Sequence, residues 1–260
     1  MKKHDKDDPF IAPIICAHRG ASGYAPENTM AAFQMAIDLQ TDMIEFDVQQ
    51  TRDKKLYIMH DEKVRRTTNG KKKLWQLTGK ELEKLDAGSW FAKKFTGERV
   101  PEFDSVLKLA KGKVKLNIEV KCNGKQDNML EQVIEKIQAT GFEKDCVLTS
   151  FDFFVIDQIK SLAPELEVGY VFSKQGLRAK SFKAPVDVLS VHFTLITRKF
   201  MRKARKAGKK VFVWTVNNKW LMHRMCKMGV DGIITDYPDR LATVIKIHTE
   251  RFSVSPGQRK

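Results

Sequence analysis

The sequence predicts a (β/α)8 TIM barrel, an α/β fold, with an insertion over the barrel mouth after the second strand. Three observations carry that prediction. Eight strand-like apolar runs alternate with helical patterns almost to the end of the chain, and 260 residues suit one closed barrel of this kind. The polar residues able to do chemistry also sit at the ends of the runs, where a barrel places its reactive groups. A doubly wound open sheet is the competitor. It calls for a glycine-rich dinucleotide turn after the first strand, and HRGASGYAPENT is not one.

Taken in order, the first run, 14–17, leads into His18 and Arg19, and a helical pattern follows over 29–39. In the second run, 43–48, Glu45 and Asp47 are two apart, so on a strand both side chains point to one face. A short extended segment, 55–59, delivers His60. Residues 61–103 then contain no barrel strand. Within them Thr78-x-x-Glu81 is a capping-box pattern heading a short helix, and Trp75, Trp90 and Phe91 offer apolar anchors. This stretch reads as the insertion that covers the mouth.

A helix near 104–110 returns the chain to the barrel. Strands follow at 115–120, 146–150, 167–172, 187–191, 211–215 and 232–235, separated by helical patterns at 128–140, 153–162, 197–207, 219–228 and 238–248. Their ends carry Glu119 and Lys121, Ser150, His192, Trp214 and Asp236. The link from 172 to 187 shows no convincing helix. Residues 1–12 and 250–260 read as frayed ends of a single domain spanning the chain.

Composition narrows the function. Hydrophobic residues at 42% support a substantial core, while the net charge of +15 is unusual. Basic clusters fall at 63–66, 71–73 and 198–210. In the last, Phe200, Met201, Ala204 and Ala207 share one helical face with the cations elsewhere, as on a solvated outer helix. That solvated face is the preferred reading of the charge, and peripheral contact with an anionic membrane or wall polymer is the alternative. No nucleic-acid motif or aromatic-interleaved basic stripe accompanies it, which speaks against a nucleic-acid partner. No apolar run reaches membrane-span length, and MKKHDKDDPF is not followed by an apolar signal segment, so a cytoplasmic location is expected. Cys16, Cys122, Cys146 and Cys226 lack CxxC spacing and read as reduced, mostly buried thiols.

Five polar patterns then describe one site: His18-Arg19-Gly20, Glu27-Asn28-Thr29, Glu45-x-Asp47, His60-Asp61 and Glu119-x-Lys121. Glu45, Asp47 and Glu119 are an oxygen-only set suited to one hard divalent cation, Mg2+ or Ca2+. Pairing of these carboxylates with Arg19 and Lys121 would also satisfy the demand that buried charge be compensated. His18 and His60 are the acid and base candidates, since imidazole titrates near neutral pH. Arg19 and Lys121 suit phosphate oxygens. Asn28 is expected to cap the helix starting at 29, and Glu27 to order the first loop or orient a histidine or metal-bound water. Asp61 stands beside His60 as a supporting carboxylate. Trp214 offers an apolar wall for substrate or simply a core residue. His4, His223 and His248 are expected to face solvent, and His192 is ambiguous.

These residues resemble a known family. HRGASGYAPENTMAAFQMAID, IEFDVQQTRDKKLYIMHDEKVRRTTNG, LDAGSWF, IEVK, VWTVN and GIITDYP are similar, in order and spacing, to the bacterial glycerophosphodiester phosphodiesterases. The resemblance covers nearly the whole chain and weakens from 173 to 195. It implies hydrolysis of a small glycerophosphodiester to sn-glycerol 3-phosphate and an alcohol with a divalent cation. It puts the metal ligands on Glu45, Asp47 and Glu119 and the paired histidines on His18 and His60. A related barrel phosphodiesterase acting on lysophospholipids is the alternative. A non-catalytic module for anionic surfaces is a third reading, but it has no need of paired proton-transfer groups.

Overall fold

The computed structural model describes residues 10–122, 124–176 and 179–253. Nine strands form one sheet. They are β1 (Ile14–His18), β2 (Met43–Gln50), β3 (Leu56–Ile58), β4 (Lys115–Val120), β5 (Cys146–Ser150), β6 (Glu167–Phe172), β7 (Val188–His192), β8 (Lys210–Trp214) and β9 (Gly232–Thr235). Pairing runs β1-β9-β8-β7-β6-β5-β4-β2, and β1 also pairs with β2, so eight parallel strands close into a barrel. That closure excludes the open sheet. β3 stands outside the ring as an antiparallel addition to the far end of β2, with Val48 opposite Ile58.

The helices are α1 (Met30–Asp38), α2 (Gly79–Leu82), α3 (Phe103–Ala110), α4 (Met129–Thr140), α5 (Phe153–Leu162), α6 (Arg198–Lys206), α7 (Lys219–Met228) and α8 (Pro238–Ser253). Polar caps start several of them: Thr29 accepts from the Ala32 N–H, Thr197 from Phe200 and Asn218 from Trp220. α4 and α7 end on Gly141 and Gly229 in the left-handed region, the usual helix stop. On α6 the buried side chains are Phe200, Met201 and Ala204, with the cations outward, as the pattern predicts.

Strand alternation makes two cores. Residues such as Ile44, Phe46, Val48, Leu116 and Ile118 point outward and pack with Phe33, Phe103 and Leu107 of the helices. Truncating a fully buried ring such as Phe46 would cost about 3–5 kcal/mol. The opposite faces fill the barrel, where Cys16, Met43, Val147, Val188, Phe212 and Ile234 form an apolar layer. Met43, Glu45 and Asp47 share that inward parity, so the carboxylates stand above this floor.

Residues 61–103 fold against the β3 segment around a small second core, in which Tyr57 and Met59 meet Val64, Leu74, Leu77, Leu82, Ala87 and Val100. The capping box is present, with Glu81 accepting from the Thr78 N–H at 2.8 Å. The tryptophans do not anchor it as expected. Trp90 is 42% exposed and Trp75 is half-buried; the large indoles rim the unit while aliphatic residues fill it. The link after β6 contains a short 3-10 turn, Ala179–Lys183. At the chain ends, Phe10 packs against the core and α8 continues to Ser253. The remaining tail residues, 1–9 with His4 and 254–260, lie outside the described residues. No described helix is long and apolar enough to cross a membrane.

Candidate active site

Strand register assembles the acidic cluster. His18 lies opposite Glu45 across β1 and β2, and Asp47 lies opposite Glu119 across β2 and β4. Carboxylate oxygens of Glu45, Asp47 and Glu119 come within 4.8 Å of one another. Burial, and next the Asp47 charge, push the Glu45 carboxyl up to about 8. The same two causes, in that order, raise Glu119. Asp47 goes the other way: burial opposes its ionisation, but Lys121, Arg19 and His60 overcome it and hold its carboxyl below the usual range.

The HRG turn has a steric basis. Arg19 and Gly20 both adopt positive φ, 56° and 82°, and a Cβ at Gly20 would lie 2.6 Å from the Ala32 carbonyl carbon. This bend aims the Arg19 backbone N–H at Glu45 Oε2, 2.9 Å away. The guanidinium donates to Glu27 Oε1 at 2.6 Å, with Nε 3.5 Å from Asp47. Lys121 Nζ sits 3.1 Å from Asp47 and 2.6 Å from Glu119. Both cations are therefore engaged by carboxylates. Glu27 accepts from Arg19 in the first loop and from Arg66, and its hydrogen bonds go to these two cations and not to a histidine.

Asn28 does not cap the helix; Thr29 does. Asn28 takes a left-handed φ of 56°, and its amide donates to Asp47 Oδ2 at 2.9 Å, supporting the buried acid. The local cap signal came from its neighbour.

Each catalytic histidine candidate has a carboxylate on Nδ1, which leaves Nε2 for proton transfer. His18 Nδ1 meets Asp236 Oδ1 at 2.7 Å, and Asp236 is held in turn by Ser22 at 3.0 Å and Asn217 at 2.6 Å. Burial opposes charging of His18, but Asp236 and Glu45 outweigh it and raise its pKa. His60 Nδ1 meets Asp61 Oδ1 at 2.5 Å. There burial, with Lys121 and Arg19 nearby, prevails over Asp47 and Asp61, and the pKa falls. The two imidazoles are biased in opposite directions.

A cavity of about 120 Å³ joins these parts, lined on one side by His18, Arg19, Glu45, His60 and Glu119 and on the other by Phe151, Val171 and Trp214. The half-buried Trp214 is thus a wall of the cavity, and its Nε1 is buried with no protein hydrogen-bond partner among the described residues. His192 is not in that lining. Its ring packs on Trp214 with centroids 5.2 Å apart, and Nδ1 meets Thr194 Oγ1 at 2.8 Å. His248 is buried, stacked on Phe10 and 3.0 Å from His223 Nδ1, which corrects the solvent-facing expectation. All four cysteines are free; burial pushes Cys122 up to about 11 and Cys146 up to about 12, as suits inert thiols.

Sequence reasoning missed three supports. In the sequence Asp236 is only a polar residue at a strand end, Asn217 sits in the VWTVN run, and Arg66 reads as part of the basic cluster at 63–66. Arg66 donates to both Asp61 and Glu27.

A model of the glycerophosphoryl diester phosphodiesterase family matches residues 18–240. The Bacillus subtilis (strain 168) protein YhdW is 40% identical over 230 residues, covering 86% of this chain and 95% of its own. A glycerophosphodiester phosphodiesterase of Caldanaerobacter subterraneus is 38% identical over 237 residues, 90% of this chain and 98% of its own. Among solved structures, an Oleispira antarctica phosphodiesterase in complex with the product sn-glycerol-3-phosphate superposes with a TM-score of 0.85 at 28% identity. It covers 90% of this chain and 97% of that one.

Proposed function

The chain belongs to the glycerophosphoryl diester phosphodiesterase family, and from that premise we propose that it hydrolyses small glycerophosphodiesters to sn-glycerol 3-phosphate and an alcohol at this cavity, with a divalent cation. The observation that carries the reading is convergence: two carboxylate-backed histidines face one cavity together with Glu45 and Glu119, whose oxygens cluster with those of the buried Asp47. A non-catalytic binding module accounts for none of the paired histidines.

Glu45, Asp47 and Glu119 would hold the cation. Their donors are oxygen only, which favours Mg2+ or Ca2+, and burial, followed by the charge of Asp47, raises the Glu45 and Glu119 carboxyls, a cost of ionisation that a bound cation would offset. When bound, the cation supplies neutralisation of the phosphoryl oxygens. Lys121 and Arg19 add positive charge beside it, Lys121 paired with Asp47 and Glu119 of the proposed ligand set and Arg19 held chiefly by Glu27, and both would offer donors to the phosphate.

The opposed histidines divide the proton work. His60, biased neutral, takes the proton of the neighbouring glycerol hydroxyl as that oxygen attacks phosphorus. His18, biased protonated, gives its proton to the departing alcohol oxygen, and a cyclic phosphate results. In the second half His18 accepts a proton from water as it opens the ring, and His60 returns its proton to the glycerol oxygen. Asp236 and Asp61 fix the ring orientations through Nδ1 throughout.

A second reading, hydrolysis of lysophospholipids, is favoured by the exposed aromatic side of the mouth, where Phe151 is 50% and Phe154 is 67% exposed. Product analysis across glycerophosphocholine, glycerophosphoethanolamine, glycerophosphoglycerol and a lysophosphatidylcholine tests both. Release of glycerol 3-phosphate from the water-soluble diesters supports the first reading. Choline release from the lysolipid alone would replace it with the second, and no phosphodiester cleavage in any would refute both.

A further inference from the structure

We infer that Arg66, a residue of the insertion outside the cavity, is a positioning residue whose single guanidinium fixes both the carboxylate behind His60 and the carboxylate behind Arg19. The inference rests on the proposed roles of His60 and Arg19. Its basis is a set of four bonds. Arg66 Nε donates to Asp61 Oδ2 at 2.6 Å and Nη2 to Asp61 Oδ1 at 3.1 Å. Nη1 donates to Glu27 Oε2 at 2.6 Å and Nη2 to Glu27 Oε1 at 2.8 Å.

Each acid passes the constraint inward. Asp61 Oδ1 holds His60 Nδ1 at 2.5 Å, and Glu27 Oε1 accepts from Arg19 Nη1 at 2.6 Å. One planar cation thus ties a proton-transfer group to a phosphate-binding group. An ammonium is a point charge and cannot match two carboxylates with a fixed fork. Arg66 is 44% exposed, and an isolated surface ion pair at that exposure would contribute little. Here the value lies in geometry, because free Asp61 and Glu27 side chains would turn and take His60 and Arg19 with them.

The insertion holds Arg66 in place. Val64, at the start of the same short 3-10 turn (Val64–Arg66), is fully buried in the insertion core. Thr68 Oγ1 donates to the Val64 carbonyl at 2.8 Å and so closes the following turn. No residue of 61–103 lines the cavity. The insertion therefore reaches the chemistry from outside the cavity, through Asp61 on His60 and through Arg66, which ties Asp61 to Glu27. Arg65 supplies the control: it is exposed, in the same turn, and has no ion pair among the described residues.

The test compares wild type, Arg66→Ala, Arg66→Lys and Arg65→Ala on glycerophosphocholine, with low-millimolar guanidinium chloride added in parallel, and follows the His60 imidazole resonance by NMR. Removing a supporting partner of this type costs about 10- to 100-fold. Arg66→Ala should lose that much in kcat/KM, split between a lower kcat from the Asp61 arm and a higher KM from the Glu27 arm. Guanidinium should restore part of the loss, Arg66→Lys should fall between, the His60 signal should move, and Arg65→Ala should match wild type. Wild-type kcat and KM in Arg66→Ala would overturn the inference, as would a loss that guanidinium leaves unrelieved. If the wild-type protein itself fails to cleave glycerophosphocholine, the functional reading fails instead. The His60 signal then decides the positioning claim: movement in Arg66→Ala upholds it, and an unchanged signal overturns it.

Discussion

The two arcs of the barrel mouth are built from the same alternating strands yet differ completely in chemistry. The arc from β9 through β1 and β2 to β4 ends in Asp236, His18, Glu45, Asp47, Glu119 and Lys121, nearly all of them in ion pairs or short hydrogen bonds. The arc from β5 to β8 ends in Thr149, Phe151, Val171, Ser190 and Trp214, with hydroxyls and rings and no charge. Phe151 and Trp214 meet edge to face across it, 5.7 Å between centroids. The charged arc can polarise a phosphate and move protons. The aromatic arc can do neither, but it offers apolar surface to whatever the phosphate is esterified with. The difference teaches that reaction type and substrate choice are set on opposite sides of one opening, so substitutions on the two sides should have separable effects.

The largest effect should follow from breaking the charged arc at its acids. Glu119→Gln should bring turnover to background while circular dichroism remains that of a folded barrel; appreciable activity would remove Glu119 from the metal set. Glu45→Gln should be equally inactive and yet more stable at alkaline pH. In the metal-free protein the folded pKa of Glu45 is raised to about 8 from 4.5, so the folded state binds the extra proton and stability falls as pH rises through that window. Glu45→Gln should then melt higher than wild type at pH 8, with the gap closing toward pH 4. An unchanged difference across that range would contradict the assigned burial.

Next come the histidines. His18→Ala and His60→Ala should each lose about 10²–10⁴-fold on natural diesters. A nitrophenyl diester, whose leaving group needs no proton, should rescue only His18→Ala. Rescue of His60→Ala instead would exchange the roles, and equal rescue would end the division of labour.

A smaller loss, about 10- to 100-fold, is expected for Asp236→Asn. Asp236 helps raise the His18 pKa, so its neutralisation should lower that pKa and shift the alkaline limb of the pH–rate profile to lower pH. A limb that stays in place would detach Asp236 from the acid. The smallest effect belongs to the aromatic arc. Phe151→Ala should leave kcat within about threefold, below the scale of a lost acid or base, and change KM unequally across diesters of different alcohols. Uniform change across the panel would deny that arc a selecting role.

Much of this was legible in the sequence because strand geometry is local. Glu45-x-Asp47 and Glu119-x-Lys121 declare a shared face at spacing two, and the apolar residues between them declare the outer face packed by helices. What escaped depends on distance or on competing local signals. Asp236 reaches His18 from 218 residues away, which no spacing rule links. Asn28 stands beside the true cap, Thr29, and its left-handed φ turns it to Asp47 instead. Arg66 is hidden in a basic run whose other members face solvent. His248 reads as an outer helix residue until Phe10 is seen stacked on it.

The most direct test of the central claim is turnover of glycerophosphocholine by chelator-treated, desalted enzyme, followed by return of Mg2+ or Ca2+. If Glu45, Asp47 and Glu119 serve one cation, the stripped enzyme should be inactive, and one of the two ions should restore full release of glycerol 3-phosphate in wild type but not in Glu119→Gln. Full activity in the stripped enzyme would contradict it, and the cluster would then be held by Arg19 and Lys121 alone.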